Sequence, residues 1–260
     1  MIHQFQVVWN ITSKCNQYCK FCFRKKCKDN SLCENKKIVD NLAKMNISTL
    51  SLSGGEAILY KDLFELVKYI RFKLPNTELI LNTNGQNIDE YKLDKIINNF
   101  DAITLPIEST NKDFNREIGR GEEHFHNVLK ILDYCNNKIK IKINTILIKK
   151  NINEIDKINK IIKDYNIKRW KIFKFLSIRD AKKFTNDFSI TEEDSKAIEE
   201  KISNLNKLSK IEISYNKEQK YKTKFFIYPD GTIENNRLEY VNENAMTLDI
   251  GSESKYEDKF

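Results

Sequence analysis

Six times along this chain, a short apolar run with strand character is followed by apolar residues at helical spacing. "FQVVWNI" (5–11) reads as a first strand, and Ile38, Val39, Leu42 and Met45 place one stripe on a helix over 36–46. "ISTLSLS" (47–53) is a second strand, and Leu63, Phe64, Val67 and Ile70 mark a helix that ends before Pro75. "ELILNT" (78–83) is a third, closed by the turn pair Asn84-Gly85, and a helix over 90–99 leads to "AITLPI" (102–107), the fourth. A helix over 124–136 precedes "KIKIKINTILI" (138–148), Ile152, Ile155, Ile158 and Ile161 mark the next helix, and "RWKIFKFL" (169–176) is the sixth strand. Strands joined by crossover helices pair in parallel, so the chain reads as α/β, with six strand–helix units. The sheet closes as a partial (β/α)6 barrel or stays open and doubly wound; periodicity does not separate the two.

From Thr191 the rhythm changes. Thr191 and Asp194 have the spacing of a capping box, Ile198, Ile202 and Leu205 form a helix stripe, and "KIEIS" and "TKFFIYPDGTI" read as two strands with a turn at Pro229-Asp230-Gly231. We read 1–180 as a core and 181–260 as an α/β extension of the same domain that completes the substrate site. Sheets of this kind hold their sites at the carboxyl ends of the strands, so residues just after strands carry the interest.

The 260 residues carry a net charge of +8, with 40% apolar and 32% charged residues, which is a globular composition. No apolar run is long enough to cross a bilayer, and "MIHQFQVVWN" lacks the charged and apolar regions of a signal peptide, so the cytoplasm is the expected location; a monomer is also expected. The basic excess is either a lysine-coated surface or a phosphate site. Lys and Arg alternate with Ile, Asn and acids rather than forming blocks, which argues against a nucleic-acid face and leaves a small anionic substrate open.

The first strand runs into "NITSKCNQYCKFCFR", where Cys15, Cys19 and Cys22 are spaced C-x3-C-x2-C. Thiolates are soft ligands for zinc or iron–sulfur clusters. Structural zinc takes four ligands, so it would need Cys27, Cys33, Cys135, His124 or His126 as a fourth. Three cysteines instead suit a cube of four irons, one of which is left for a non-protein ligand. The second strand ends in "SLSGGEA", a glycine-rich turn.

These two motifs resemble the radical S-adenosylmethionine (radical SAM) superfamily, with Phe21 at the aromatic position before the last cysteine and Ser53, Gly54, Gly55 and Glu56 at its glycine-glycine-glutamate motif. The resemblance implies a 4Fe–4S cluster on Cys15, Cys19 and Cys22, whose open iron is chelated by the amino and carboxylate groups of SAM. One-electron cleavage of the sulfonium then gives a 5′-deoxyadenosyl radical that abstracts hydrogen from substrate. It implies that Gly54 and Gly55 let backbone approach the methionine and that Glu56 receives its ammonium, with Asn82, Thr104 and Glu108 as further polar contacts at strand ends. An electron donor such as flavodoxin or ferredoxin is implied as a partner.

"ITLPIESTNKDFNREIGRG" (103–121), "KINTILIKKN" (142–151) and "KRWKIFKFLSI" (168–178) resemble the viperin family, including its prokaryotic members, in order and spacing over roughly residues 5 to 180. That resemblance gives Arg120 and Ser109 to the SAM carboxylate and Lys142, Asn144, Arg169 and Lys171 to a nucleoside triphosphate. It implies dehydration to a 3′-deoxy-3′,4′-didehydro nucleotide, from CTP, UTP or GTP, and an antiviral role. The chain departs from the family at Lys174, where a glutamine is common, at Tyr228, where an aspartate stands, and at Lys224, where the hydrogen-donating tyrosine stands; Tyr221 and Tyr228 are the substitute donors. The enzymatic alternative is a single-cluster radical SAM enzyme acting on a peptide or another small substrate. No cysteine follows Cys135, which disfavours an auxiliary-cluster enzyme, and Cys27 and Cys33 read as ordinary loop cysteines. The alternative of another class is a non-enzymatic iron–sulfur binding module.

Overall fold

A computed structural model of the chain describes residues 5–216 and 224–235. Among these residues one sheet holds β1 (Phe5–Asn10), β2 (Ile47–Ser53), β3 (Glu78–Asn82), β4 (Ala102–Pro106), β5 (Lys140–Leu147), β6 (Ile167–Lys174), β7 (Glu212–Asn216), β8 (Lys224–Ile227) and β9 (Ile233–Asn235). The helices are α1 (Leu32–Leu42), α2 (Leu63–Lys73), α3 (Glu90–Asn99), α4 (Lys112–Glu117), α5 (His124–Cys135), α6 (Glu154–Ile162), α7 (Thr185–Phe188) and α8 (Glu192–Leu208).

The strand order is β7-β6-β5-β4-β3-β2-β1-β8-β9, and every neighbouring pair is parallel except β8 with β9. A doubly wound sheet reverses its direction at a switch point. Here β1 to β6 lie side by side in chain order, so each crossover steps the same way, and the open alternative is excluded. The sheet is also curled. Across seven strand spacings a flat sheet would separate β7 from β8 by ~34 Å, whereas the chain from Asn216 to Lys224 reaches at most ~28 Å. The result is a partial barrel that is not closed.

Helices cover its outer face. Trp9, Leu52, Leu81, Leu105, Ile143 and Trp170 point outward and share one core with Ile38, Leu66, Ile96, Ile131, Ile158 and Ile198 of the helices. Each such fully buried side chain contributes about 1.5–3 kcal/mol through apolar burial. Since side chains alternate along a strand, Val8, Asn10, Ser53, Lys142, Asn144 and Ile146 lie on the inner face.

One helix starts earlier than its apolar stripe suggests. α1 begins at Leu32, not 36, because Ser31 Oγ accepts from the Glu34 N–H at 3.3 Å while the Glu34 carboxylate accepts from the Ser31 N–H at 2.7 Å. It stops at Leu42, and Met45 belongs to the turn into β2. The cap read at Thr191 is present, with its Oγ1 accepting from the Asp194 N–H at 3.0 Å. Among the described residues no helix is long and apolar enough to cross a membrane.

Candidate functional site

The loop from Ile11 to Ser31 that carries the three cysteines is fastened on both sides by backbone. On one side it meets the turn after β2: Gly55 N–H donates to Thr12 O at 2.7 Å and Glu56 N–H to Lys14 O at 2.7 Å. On the other it meets the segment after α4: Tyr18 N–H donates to Gly119 O at 3.1 Å and Lys20 N–H to Ile118 O at 3.0 Å. Both contacts require glycine. A Cβ on Gly55 would lie 2.2 Å from Lys14 O, and one on Gly119, at φ +86°, would lie 2.2 Å from Tyr18 O. Close approach to the cysteine loop is thus what Gly55 provides, in addition to lining the cavity beside it. Gly119 carries no site motif of its own and was missed in the sequence.

At the carboxyl ends of the strands the loop closes over a cavity of about 510 Å³. Cys15, Cys19 and Cys22 line it with Phe21, Ser53, Gly54, Gly55, Arg120 and, unforeseen, Asn84, whose Nδ2 donates to Asn16 Oδ1 at 2.7 Å. A second apolar cluster of Phe21, Ile118, Ile148, Phe175 and Phe188 packs beneath Cys19. Burial, partly offset by Arg120, pushes the Cys19 thiol up to about 12, so a metal must displace its proton on binding. Among the described residues no three His, Cys, Asp or Glu side chains converge on a single ion. Three cysteine thiols on one cavity are the donor set that would hold an iron–sulfur cluster.

The residues expected at the SAM carboxylate have other partners. Arg120 Nε and Nη2 donate to the two Glu108 oxygens at 2.8 and 2.9 Å, Nη1 donates to Gln17 Oε1 at 3.0 Å, and the guanidinium lies 5.2 Å from the Phe21 ring centroid. Ser109 Oγ donates to Glu154 at 2.8 Å. Glu56 is buried, absent from the cavity lining, and accepts from Thr83 Oγ1 at 2.7 Å and from the Asn84 and Ile58 N–H groups at 2.6 and 3.1 Å. It holds the turn after β3 against the glycine turn. Asn82 and Thr104 are register partners on the inner face, outside the lining.

His124 is also spoken for. Its Nε2 donates to Pro106 O at 3.1 Å, which leaves Nδ1 to accept from the amides of Gln17 and Gln86, each at 3.4 Å. Burial, with Arg120 nearby, holds its pKa well below the ordinary 6.5. The unfolded chain therefore takes up a proton below that pH which the native ring refuses, and stability falls with acidity by up to about 1.4 kcal/mol per pH unit. Urea midpoints between about pH 7.5 and about pH 5.5 should show this loss in the wild type and less of it in His124→Gln; equal slopes would clear His124.

On the inner face of β5 and β6 the register aligns Lys142 with Arg169 and Asn144 with Lys171. The structure thus brings these four together, but none lines the cysteine cavity, whose β5 member is Ile146, one inward position further along. Two of the cations have acidic partners that sequence reading missed: Lys142 Nζ is 3.2 Å from Glu78 and Arg169 Nε is 2.9 Å from Glu212. Lys171 is half-buried and no ion pair joins it among the described residues; burial, then Arg169 and Lys142, lower its pKa.

The last wall of the cavity comes from the segment after β6 and from β8. Tyr228 lines it, donates through its hydroxyl to Glu234 and accepts from Arg179 Nη2 at 3.1 Å. Burial, with Glu234 beside it, pushes the phenol up to about 12. Arg179 holds this phenol from a left-handed backbone at φ +49°, a conformation that side chains other than glycine seldom adopt. Tyr221 lies outside the described residues, and Lys174 is paired with Glu192 at 2.7 Å.

The model of the radical SAM superfamily matches residues 9–162. An S-adenosylmethionine-dependent nucleotide dehydratase from Flammeovirga pacifica is 30% identical over 190 residues, covering 66% of this chain and 63% of that protein. An Fe-coproporphyrin III synthase from Methanosarcina barkeri is 29% identical over 204 residues, covering 74% of this chain and 49% of that one. Among solved structures, Streptococcus suis SuiB bound to S-adenosylmethionine superposes with a TM-score of 0.73 at 16% identity, over 89% of this chain and 60% of SuiB. The matches span less than two thirds of each of these proteins, and at 16% identity SuiB shares the fold alone. With the family model covering the cysteine loop, the glycine turn and the strands that flank them, the chain belongs to the radical SAM superfamily, which uses a 4Fe–4S cluster and S-adenosylmethionine.

Proposed function

We propose that this chain is a radical SAM nucleotide dehydratase that converts a nucleoside triphosphate to its 3′-deoxy-3′,4′-didehydro form. The observation that carries the reading is Lys171, a half-buried ammonium without an ion pair among the described residues and flanked by two further cations on the same inner face. Such a charge is costly to hold without an anion, and a polyphosphate supplies one. The likeness to the Flammeovirga pacifica nucleotide dehydratase supports the same substrate class.

In this reading Cys15, Cys19 and Cys22 hold the cluster, and Gly54 and Gly55 border the space for SAM. When bound, the two together supply a 5′-deoxyadenosyl radical that takes hydrogen from the sugar. Lys171, with Lys142 and Arg169, draws the triphosphate down the inner face, and Asn144 offers a neutral donor beside it. Fixing the sugar relative to the radical matters as much as affinity, since small displacements forfeit much of the rate. Tyr228, the phenol in the cavity wall, is the hydrogen donor to the product radical, and Glu234 and Arg179 orient it. A flavodoxin or ferredoxin supplies the electron.

Anaerobic, reduced and cluster-loaded protein incubated with SAM and CTP, UTP, GTP or ATP in turn should release 5′-deoxyadenosine. It should also yield a product one water lighter than one of the four. Lys171→Ala should raise KM for that nucleotide roughly tenfold or more without changing iron content. The Methanosarcina barkeri likeness supports a second reading, a carboxylate-bearing small substrate on the same cations. Four unchanged nucleotides beside a modified peptide or carboxylate substrate would replace the first reading.

A further inference from the structure

The geometry points to Asn216 as the residue that reads the sugar of the nucleotide, by donating a hydrogen bond to one of its hydroxyls. The inference rests on reading Lys171 and its neighbours as the triphosphate site. Asn216 is the last residue of β7. Ile213 of that strand packs in the outer core, and the Tyr215 hydroxyl meets Ser195 Oγ of α8 at 3.0 Å. Alternation therefore turns Glu212, Ser214 and Asn216 to the inner face. In register they stand beside Arg169, Lys171 and Phe173 of β6. Asn216 is thus one inward position beyond the Ser214–Lys171 pair, towards the carboxyl ends where the cysteine cavity lies.

Its Nδ2 is buried and has no hydrogen-bond partner. Among the described residues, the other buried side-chain atoms in that state lie off the inner face. Trp9 Nε1 is in the outer core, Asn35, Asn115 and Asn159 belong to α1, α4 and α6, and Arg24 Nε belongs to the cysteine loop. A buried amide donor without an acceptor is destabilising, and native interiors rarely leave one unmet. A ligand oxygen on the inner face would meet this one. One inward position is about 6.6 Å along a parallel strand. A phosphate held by Lys171 puts its esterified sugar at that step, with the base further off. Asn144 and Ser214 stand beside Lys171 itself, level with the phosphates, and Phe173 beside Asn216 offers no competing polar group. A neutral carboxamide N–H suits a hydroxyl oxygen, whereas the charged phosphate oxygens go to the cations.

Dissociation constants for CTP, UTP, GTP and ATP, for their 2′-deoxy and 3′-deoxy forms and for inorganic tripolyphosphate, measured by equilibrium dialysis on oxidised, cluster-loaded protein with SAM, test the assignment. The wild type should prefer a ribonucleotide over one of its deoxy forms by roughly three- to tenfold. Which deoxy form is disfavoured names the hydroxyl. Asn216→Leu, which keeps the volume of the side chain without its donor, should lose that preference, and so should Asn216→Ala. The disfavoured deoxy form and tripolyphosphate should bind both variants as they bind the wild type, with iron content unchanged. A wild type indifferent to both sugar hydroxyls overturns the inference while the triphosphate reading stands, as does an undiminished preference in both variants. Tripolyphosphate weakened as much as the nucleotide would give Asn216 to phosphate, and an altered ranking of the four bases with the sugar preference intact would give it to the base; either overturns the inference. Wild-type protein that binds neither nucleotides nor tripolyphosphate would overturn the reading of Lys171, and this inference with it.

Discussion

Gly119→Ala is expected to lose most of its iron and sulfide while keeping the helices and sheet. The new methyl group would sit 2.2 Å from Tyr18 O and 3.1 Å from Cys19 Cα, both parts of the backbone with no flexible end to swing aside. The cysteine loop must then move off the segment after α4, breaking the hydrogen bonds from Tyr18 N–H and Lys20 N–H that fix Cys19. The left-handed backbone at φ +86° adds strain of about 1–3 kcal/mol for any side chain. Gly121→Ala is the control: its φ is +91°, yet nothing lies within 4 Å of the added Cβ. That variant should lose about 1 kcal/mol in stability and keep its cluster. Iron and sulfide after anaerobic reconstitution, with circular dichroism melts, separate the two. If Gly119→Ala loaded its cluster like Gly121→Ala, close backbone approach would not be what positions Cys19.

Cys22→Ala should abolish cluster loading altogether, from about four irons and four sulfides per chain in the wild type. With it should go all SAM cleavage, since no neighbouring residue can replace the missing thiolate. Cys27, the next cysteine along, is engaged with Ser13, whose Oγ accepts from the Cys27 N–H at 3.0 Å and donates to its carbonyl at 2.7 Å. Cys135 is buried in the core between α5 and the sheet, where burial pushes its thiol up to about 11. Cys135→Ala should therefore cost about 1 kcal/mol of packing and no iron. Should the wild type bind one zinc tightly and no sulfide, or should Cys22→Ala load normally, the cluster assignment is wrong.

The strands, the cysteine spacing and the glycine turn could be read from the chain because each is written in neighbouring residues. Alternation along β5 puts Ile141 and Ile143 against the helices and Lys142 and Asn144 inside, and a two-residue period says as much without any partner strand. The start of α1 was equally local, in Ser31 and Glu34, although the apolar stripe drew attention further along. What tertiary structure alone decided are meetings between distant residues. Sheet order brings β8 against β1, pairing Gln6 with Lys224, and so carries Tyr228 into the cavity wall. Register sets Glu212 beside Arg169, and the inner face sets Glu78 beside Lys142, so that of Lys142, Arg169 and Lys171 on that face only Lys171 is left without an ion pair among the described residues. Curvature closes Glu108 onto Arg120 and lays Gly119 against Tyr18. Periodicity records which face of its own element a side chain occupies. Which charge finds a partner across that face depends on strand order, register and curl, and these arise only when the whole sheet buries its apolar side.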